Sequence, residues 1–344
     1  MPQTTHSPRL IDVARRAGVS LASASRVINQ TGPVSDTLRA QVEAAMAELG
    51  YEPRRAAAPP LLSEHTLALL IMDTVNPFFH EIAEGAQQEA DRDGLFSVLI
   101  NTTADPNYQQ RVLDTLSQHR LEAIIACGSN LPPQSWIDFY ERARLPLVVM
   151  NLRVSHPEIY SIVVNFESAA RRAAQHLLDL GHTRIGYLPG PADAEHTRQR
   201  LRGIELALAE RGLTMPPHWR PETVQSMEGA FQGMSNILDL PADDRPTAVV
   251  VYNDFLALGA LNAVRAHGLR VPDDMSIISF DDIPIAAHTN PPLTTIAVPK
   301  ARMGRIAVRW LRQQLRSDGP PKGGYTQLES PLIVRESTAP LRLR

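Results

Sequence analysis

The chain has 344 residues, 43% hydrophobic and 21% charged, which excludes a disordered chain and suits two or three globular domains. No apolar run approaches the roughly 20 residues that span a bilayer, MPQTTHSPRL lacks the apolar core of a signal peptide, and the single cysteine, Cys127, excludes an intramolecular disulfide; a cytoplasmic protein is expected. The net charge of −3 excludes a general polyanion-coating protein, yet residues 1–60 hold seven basic against five acidic groups, so a polyanion partner is expected at the N-terminal end.

Apolar residues recur at helical spacing at Leu10, Val13, Ala14 and Ala17, and again at Ala24, Val27 and Ile28. Between them, Gly18 can end one helix in the left-handed conformation and Ser20 can cap the next. Two short helices with a tight turn form a helix-turn-helix, whose second helix enters the major groove of DNA. Its outer face carries Leu21, Ala22, Ser25 and Arg26. Ser35 opens a third helix with the stripe Leu38, Val42, Ala45, Met46 and Leu49, and Gly50 stops it. The stretch EPRRAAAPPLLS then reads as a linker. From Thr66 onward, short β-branched runs such as Leu67–Met72, Ala123–Ala126, Ala248–Val251 and Ser276–Ser279 alternate with longer helical segments. That alternation predicts parallel sheets covered on both faces, arranged as two Rossmann-like halves.

The chain resembles the lactose/galactose repressor (LacI/GalR) family. The matching strings are Asp12-Val13-Ala14, Ala17-Gly18-Val19-Ser20, Ser25-Arg26-Val27, Asn29, Val34-Ser35 and Leu49-Gly50-Tyr51 with Pro53. Further along they are Asn76-Pro77-Phe78-Phe79, Gly181-His182-Thr183-Arg184-Ile185, Arg200-Leu201-Arg202-Gly203, Asn253-Asp254, Ser279-Phe280-Asp281-Asp282, Pro292-Leu293-Thr294-Thr295-Ile296 and Leu332–Ser337. The resemblance implies an α/β protein with an N-terminal three-helix helix-turn-helix headpiece (1–50) and a hinge or linker (51–65). A periplasmic-binding-protein-like effector-binding and dimerisation core (66–344) follows. Subdomain one is expected at about 66–163 and 293–323, subdomain two at about 164–290 and 325–338. The crossings between them are expected near Val163–Asn165, Thr289–Leu293 and Gly323–Tyr325. The implied function is sequence-specific transcriptional regulation, most simply repression, by a homodimer on a near-palindromic double-stranded DNA operator. After Ser337 the sequence reads TAPLRLR, so no heptad segment joining dimers into tetramers is expected.

Arg26 is the candidate for bidentate readout of guanine. Leu21 and Ala22 offer shape and packing on thymine methyls. Ser20, Ser23, Ser25 and Asn29 can bond phosphate oxygens. The linker departs from the family pattern. Where the resemblance calls for Asn, Ala and Leu in a DNA-ordered hinge helix, the chain has Arg54, Ala57 and Pro60. Pro59-Pro60 cuts any such helix short near Ala58. A minor-groove wedge from Leu61 or Leu62, with Arg54 and Arg55 on phosphates, and a loose tether both remain open.

A small polar effector is expected at the carboxyl ends of the strands, between the two halves. The candidates are Asp73, Asn76, Phe79, Asp105, Asn151, Arg153 and Asn253. The resemblance adds Arg200 and Asp281 as the family's effector-facing arginine and acid. Carboxylate, amide and guanidinium groups around an aromatic suit a polyhydroxylated ligand such as a sugar. Gln225 stands where some members carry a purine-stacking aromatic, which weakens the alternative of a purine or other metabolite co-repressor. Asp254 and Asp282 read as turn caps, Phe78 as core, His182 as structural and Cys127 as buried filler. No nucleotide-binding, hydrolase or metal-ligand spacing occurs and the eleven histidines are scattered, so no cofactor, metal or enzymatic activity is expected. A sugar-transport binding protein would need export.

Overall fold

The computed structural model describes residues 8–29, 34–51, 66–92, 94–119, 121–192, 194–317 and 319–342. It divides into two compact units, Met1–Leu61 and Leu62–Arg344. Among the described residues no helix is long and apolar enough to cross a membrane.

The first unit holds α1 (Leu10–Arg16), α2 (Leu21–Asn29) and α3 (Asp36–Leu49). Gly18 takes φ +67° in the turn between α1 and α2, and the Val19 N–H bonds back to Ala14 O at 3.0 Å. Ser20 caps α2, its hydroxyl accepting from the Ser23 N–H at 3.1 Å. Ser35 caps α3 in the same way, and Gly50 ends it at φ +61°. Val13, Val27 and Val42, one from each helix, meet with Ala45 in a small core. A core of this size leaves a domain of about 50 residues marginally stable.

The second unit contains two sheets. In chain order its elements are β1 (Thr66–Ile71), α4 (Pro77–Asp91), β2 (Phe96–Asn101), α5 (Pro106–Leu116), β3 (Ala123–Cys127), α6 (Pro133–Ala143), β4 (Leu147–Met150) and β5 (Tyr160–Val164). Then come α7 (Phe166–Asp179), β6 (Ile185–Leu188), α8 (Glu195–Ala209), α9 (Met227–Leu238), β7 (Ala248–Val251), α10 (Asp254–Ala266) and β8 (Ser276–Asp281). The last are β9 (Thr294–Ala297), α11 (Lys300–Leu315), β10 (Gly324–Leu328) and β11 (Leu332–Ile333). The first sheet runs β10-β5-β4-β3-β1-β2 and the second β11-β9-β8-β7-β6. All pairings are parallel except β11 with β9. Strands such as β1, TLALLI, are buried at every residue because helices cover both faces, so their sequences are continuously apolar.

The chain crosses between the lobes three times. The first crossing falls where expected, between Val164 at the end of β5 and Phe166 at the start of α7. The other two differ from the sequence expectation. Thr294–Ala297 extends the second sheet, with Thr294 beside Ile278, so the chain leaves that lobe at Val298–Pro299 and not at Thr289–Leu293. Gly324–Leu328 pairs with β5 in the first sheet, so the third crossing lies at 329–331 and not at Gly323–Tyr325. The β-branched Thr294-Thr295-Ile296 has the character of a ladder strand, and its buried side chains complete the second lobe.

Helices α4 and α11 cover the first sheet and cross at a glycine pair. A Cβ at Gly85 would run into the backbone of Ala301, and one at Gly304 into the backbone of Ile82. The buried Glu89 carboxylate ties the same helices, accepting from Arg309 Nε at 2.9 Å and Nη2 at 3.2 Å. Gly304→Ala is therefore expected to cost about 1–3 kcal/mol by overpacking, read as a lower denaturation midpoint. Gly319→Ala, with nothing near its Cβ direction, should leave the midpoint unchanged.

Candidate DNA interface and effector cleft

In the first unit, helix α2 presents Leu21, 49% exposed, with exposed Ala22 and Arg26 beside it. Helix α2 directs Ala24 and Val27 inward instead. A leucine left in water at the first turn of a helix suits a surface meant to meet apolar base edges. The Ser20 hydroxyl also meets that of Ser23 at 2.8 Å, so part of its bonding capacity is spent on the cap. Ser25 is half-buried and already engaged. Asn29 closes the helix, and its side chain lies outside the description. Arg54, Arg55, Pro59, Pro60, Leu61 and Leu62 lie outside the described residues altogether.

In the second unit, the carboxyl end of β8 carries Asp281 and Asp282, both at positive φ (102° and 52°). Asp281 is 5% exposed. Burial pushes its carboxyl up to about 6, against the pull of Arg200 and then Lys300. Arg200, in α8, is 2% exposed. Its guanidinium carbon lies 3.8 Å from the ring centre of Phe166, 4.5 Å from that of Tyr252 and 4.7 Å from that of Phe280. One terminal nitrogen donates to His196 O at 3.1 Å. Arg200 Nε is buried and has no hydrogen-bond partner among the described residues. The His196 ring, one helical turn earlier, tilts against Phe166 and Tyr252. Burial, Arg200 and Arg198 lower its pKa to about 3, so it stays neutral near pH 7.

Lys300 spans the two lobes, and Asn151 follows a strand of the first. Lys300, at the start of α11, donates to Asp282 O at 2.7 Å and to Asp281 O, and lies 3.4 Å from Glu81 of α4. Asn151 follows β4 at φ +59°, with its Oδ1 buried and unpartnered among the described residues. The remaining candidates have local duties. Asn76, Asp105 and Asn253 cap α4, α5 and α10. Asp73 accepts from the Val75 N–H at 2.7 Å. Phe79 packs edge-on against Phe78 and fills the space beside Gly128, both rings being buried. Arg153 is exposed and lies 4.0 Å over the Tyr325 ring of β10, apart from the groups around Arg200 and Asp281.

The residues read as structural have structural partners, but Asp254 and Asp282 are not the turn caps expected: their carboxylates bond residues far along the chain. Buried Asp254 accepts from the Ser279 and Thr295 hydroxyls and from the Ile283 N–H. Burial and the nearby Asp281 push its carboxyl up to about 7. Asp282 pairs with Arg335 at 2.7 Å. His182 bonds Thr247, Ser276 and Ala339 O. Cys127 is buried 3.5 Å from Met150 Sδ, and desolvation raises its thiol pKa. Phe166, Tyr252 and His196 were missed in the sequence, although the first two directly follow strands β5 and β7 and the third precedes Arg200 by one turn. Lys300 and Glu81 gave no local signal.

A model for bacterial regulatory proteins of the lacI family matches residues 9–54, and a periplasmic binding protein-like domain matches residues 174–338. The HTH-type transcriptional repressor PurR of Aliivibrio fischeri is 32% identical over 327 residues, covering 95% of this chain and 97% of that one. The ribose operon repressor of Haemophilus influenzae is 34% identical over 335 residues, covering 96% and 98%. The structure of the lac repressor dimer bound to operator and the anti-inducer ONPF superposes with a TM-score of 0.70 at 29% identity, covering 97% of this chain and 100% of that one.

A helix-turn-helix unit joined in one chain to a two-lobed periplasmic-binding-protein-like core defines a DNA-binding transcriptional regulator rather than an enzyme. The chain belongs to the LacI family of bacterial regulatory proteins.

Asp254→Ala would leave two buried hydroxyls and one N–H without their acceptor. A loss of roughly 3 kcal/mol or more is expected in denaturant unfolding of the core.

Proposed function

We propose that the chain is a repressor that binds a near-palindromic operator as a homodimer and is controlled by a neutral sugar held at Arg200 and Asp281. The caged Arg200 carries the sugar reading. Its Nε is a buried donor without a partner among the described residues, near a buried acid and aromatic rings. A hydroxyl can accept from the guanidinium and donate to the carboxylate, while a ring packs on the C–H face. Arg200 and Lys300 face Asp281 and Glu81, so the charges balance and favour an uncharged ligand over a phosphorylated one. Gln225 is exposed and polar, which favours a sugar over a stacked purine.

Exposed apolar side chains on an edge strand, one on each face, and a patch on α9 support dimerisation. Edge strand β2 shows Phe96 and Leu99, 65% and 49% exposed. On the other lobe, Met227 and Phe231 lie one turn apart on α9 near Val224. Patches of this kind mark interaction surfaces, and a two-fold dimer needs a face that can meet its own copy.

Selection from random duplex DNA at stated salt should recover a two-fold symmetric site. Arg26→Ala should weaken binding to it by about 1–3 kcal/mol and relax one position in each half-site; an unchanged preference removes Arg26 as a reader. Arg200→Ala and Asp281→Ala should bind that DNA like the parent and lose the response to the sugar found by thermal-shift screening of aldoses. A normal response in both would refute the cleft assignment. Sugar affinity should fall as pH drops through about 6, because protonated Asp281 loses acceptor capacity. Titrations at pH 7.5 and 5.5 should differ by about fourfold for a protonated form that does not bind.

A further inference from the structure

We propose that Lys300 is the positioning residue of the effector acid: its single buried ammonium fixes the backbone of Asp281 and Asp282 across the seam and keeps the Asp281 carboxylate charged and in place. The inference rests on the reading of Asp281 as the effector acid.

An ammonium has three N–H donors and no acceptor. In Lys300 two of them bond the carbonyls of Asp281 and Asp282, from the second lobe, and the ammonium forms an ion pair with the Glu81 carboxylate 3.4 Å away, from the first. Lys300 itself is 4% exposed and follows the second crossing directly. The two carbonyls belong to consecutive non-glycine residues at positive φ, a conformation that needs external support. One charged donor bridging both carbonyls supplies that support. Glu81 holds the donor from the opposite side. A lysine buried at this depth would otherwise be costly, and the carbonyls and carboxylate together solvate its charge.

The charged and titratable groups around the acid are Arg200 of α8, Lys300 of α11, Glu81 of α4, Asp254 of α10 and the Tyr252 phenol. Arg200 and Lys300 favour the carboxylate, whereas Glu81 opposes it. Arg200 is held by its aromatic cage and by His196 O, independently of Lys300. Removing Lys300 therefore takes away one of two cations and the backbone support together.

The test is ligand-free and uses the full chain. Thermal midpoints from pH 4 to 9 are measured for the parent and for Asp281→Asn, and their difference isolates the acid. Its folded pKa lies above the unfolded value. Its contribution to stability is therefore complete below about pH 4, declines with rising pH and levels off above about 6. In a Lys300→Gln background, the same difference should keep declining for about one pH unit more before it levels off. Lys300→Arg, which retains the charge, should restore the parent profile. Glu81→Gln, in which the ammonium is no longer shared, should move the levelling point to lower pH, and this arm serves should Lys300→Gln fail to fold. A parent difference that is flat with pH would remove the poised acid and the cleft reading with it. A sloping parent profile with the levelling point unmoved in Lys300→Gln, or in Glu81→Gln where the former does not fold, would overturn the role of Lys300 alone.

Discussion

The seam of the core depends on a buried acid held between two buried cations. Asp281 is almost fully covered, as are Arg200 and Lys300. Desolvating any one of them alone would cost several kcal/mol. Together they are tolerable because each finds a different kind of compensation. Arg200 is wrapped by three aromatic faces, and a planar, weakly hydrated guanidinium suits that environment better than an ammonium does. Lys300, a compact point charge, is placed among oxygens instead. The acid receives the least direct compensation, and its raised pKa is the result. That shortfall is what a hydroxyl-bearing ligand can supply.

The backbone around the acid is shaped by the same arrangement. Asp254 holds the ends of β8 and β9 through Ser279, Thr295 and the Ile283 N–H. It thereby fixes where β8 must stop and where the positive-φ pair begins. The chain then returns through β9, and only after Val298–Pro299 does it pass to the first lobe and place Lys300 beneath the pair. The later crossing point matters chemically. A crossing at Thr289–Leu293 would have removed β9, and with it Thr295, from Asp254.

Much of this was legible in the sequence, and the rest was hidden for definite reasons. The headpiece could be read residue by residue because caps and turns are local: Ser20, Gly18, Ser35 and Gly50 act on neighbours within a few positions. The first crossing was marked by a strand followed at once by a helix. The second and third were not, because short strands such as β9 and β10 carry no information about which sheet they join. Phe166 and Tyr252 follow strand ends, where the rule for ligand sites in α/β folds applies, and only a fuller use of that rule was needed. Lys300 and Glu81 are more than two hundred residues apart in sequence. Nothing local to either predicts that they meet. Arg153 also follows β4, and its guanidinium lies over Tyr325 of β10, a contact with a distant strand that nothing local to the sequence signals.

Control of DNA binding by a ligand requires that the ligand interact differently with two arrangements of the core. Contacts confined to one lobe, such as Glu89 with Arg309, are present whatever the lobes do and can carry no such difference. Contacts that span the crossings can. Lys300 reaches from a helix of the first lobe to carbonyls of the second. Arg172 of α7 reaches Ser330 O on the third crossing at 2.6 Å. Arg200 sits on the second lobe, caged by rings of that lobe and by Phe166 at the first crossing. The second and third crossings thus each carry a cation hydrogen-bonded on or across the connection. A shift of one lobe against the other would break or remake the charge-assisted bonds that Lys300 makes across the second crossing, which favours two discrete arrangements over a continuum. Asp281, the acid proposed to meet the effector, is bonded through its own backbone carbonyl to Lys300. A ligand held there as proposed would act on the difference between arrangements directly, and by linkage an operator would act on the ligand to the same extent.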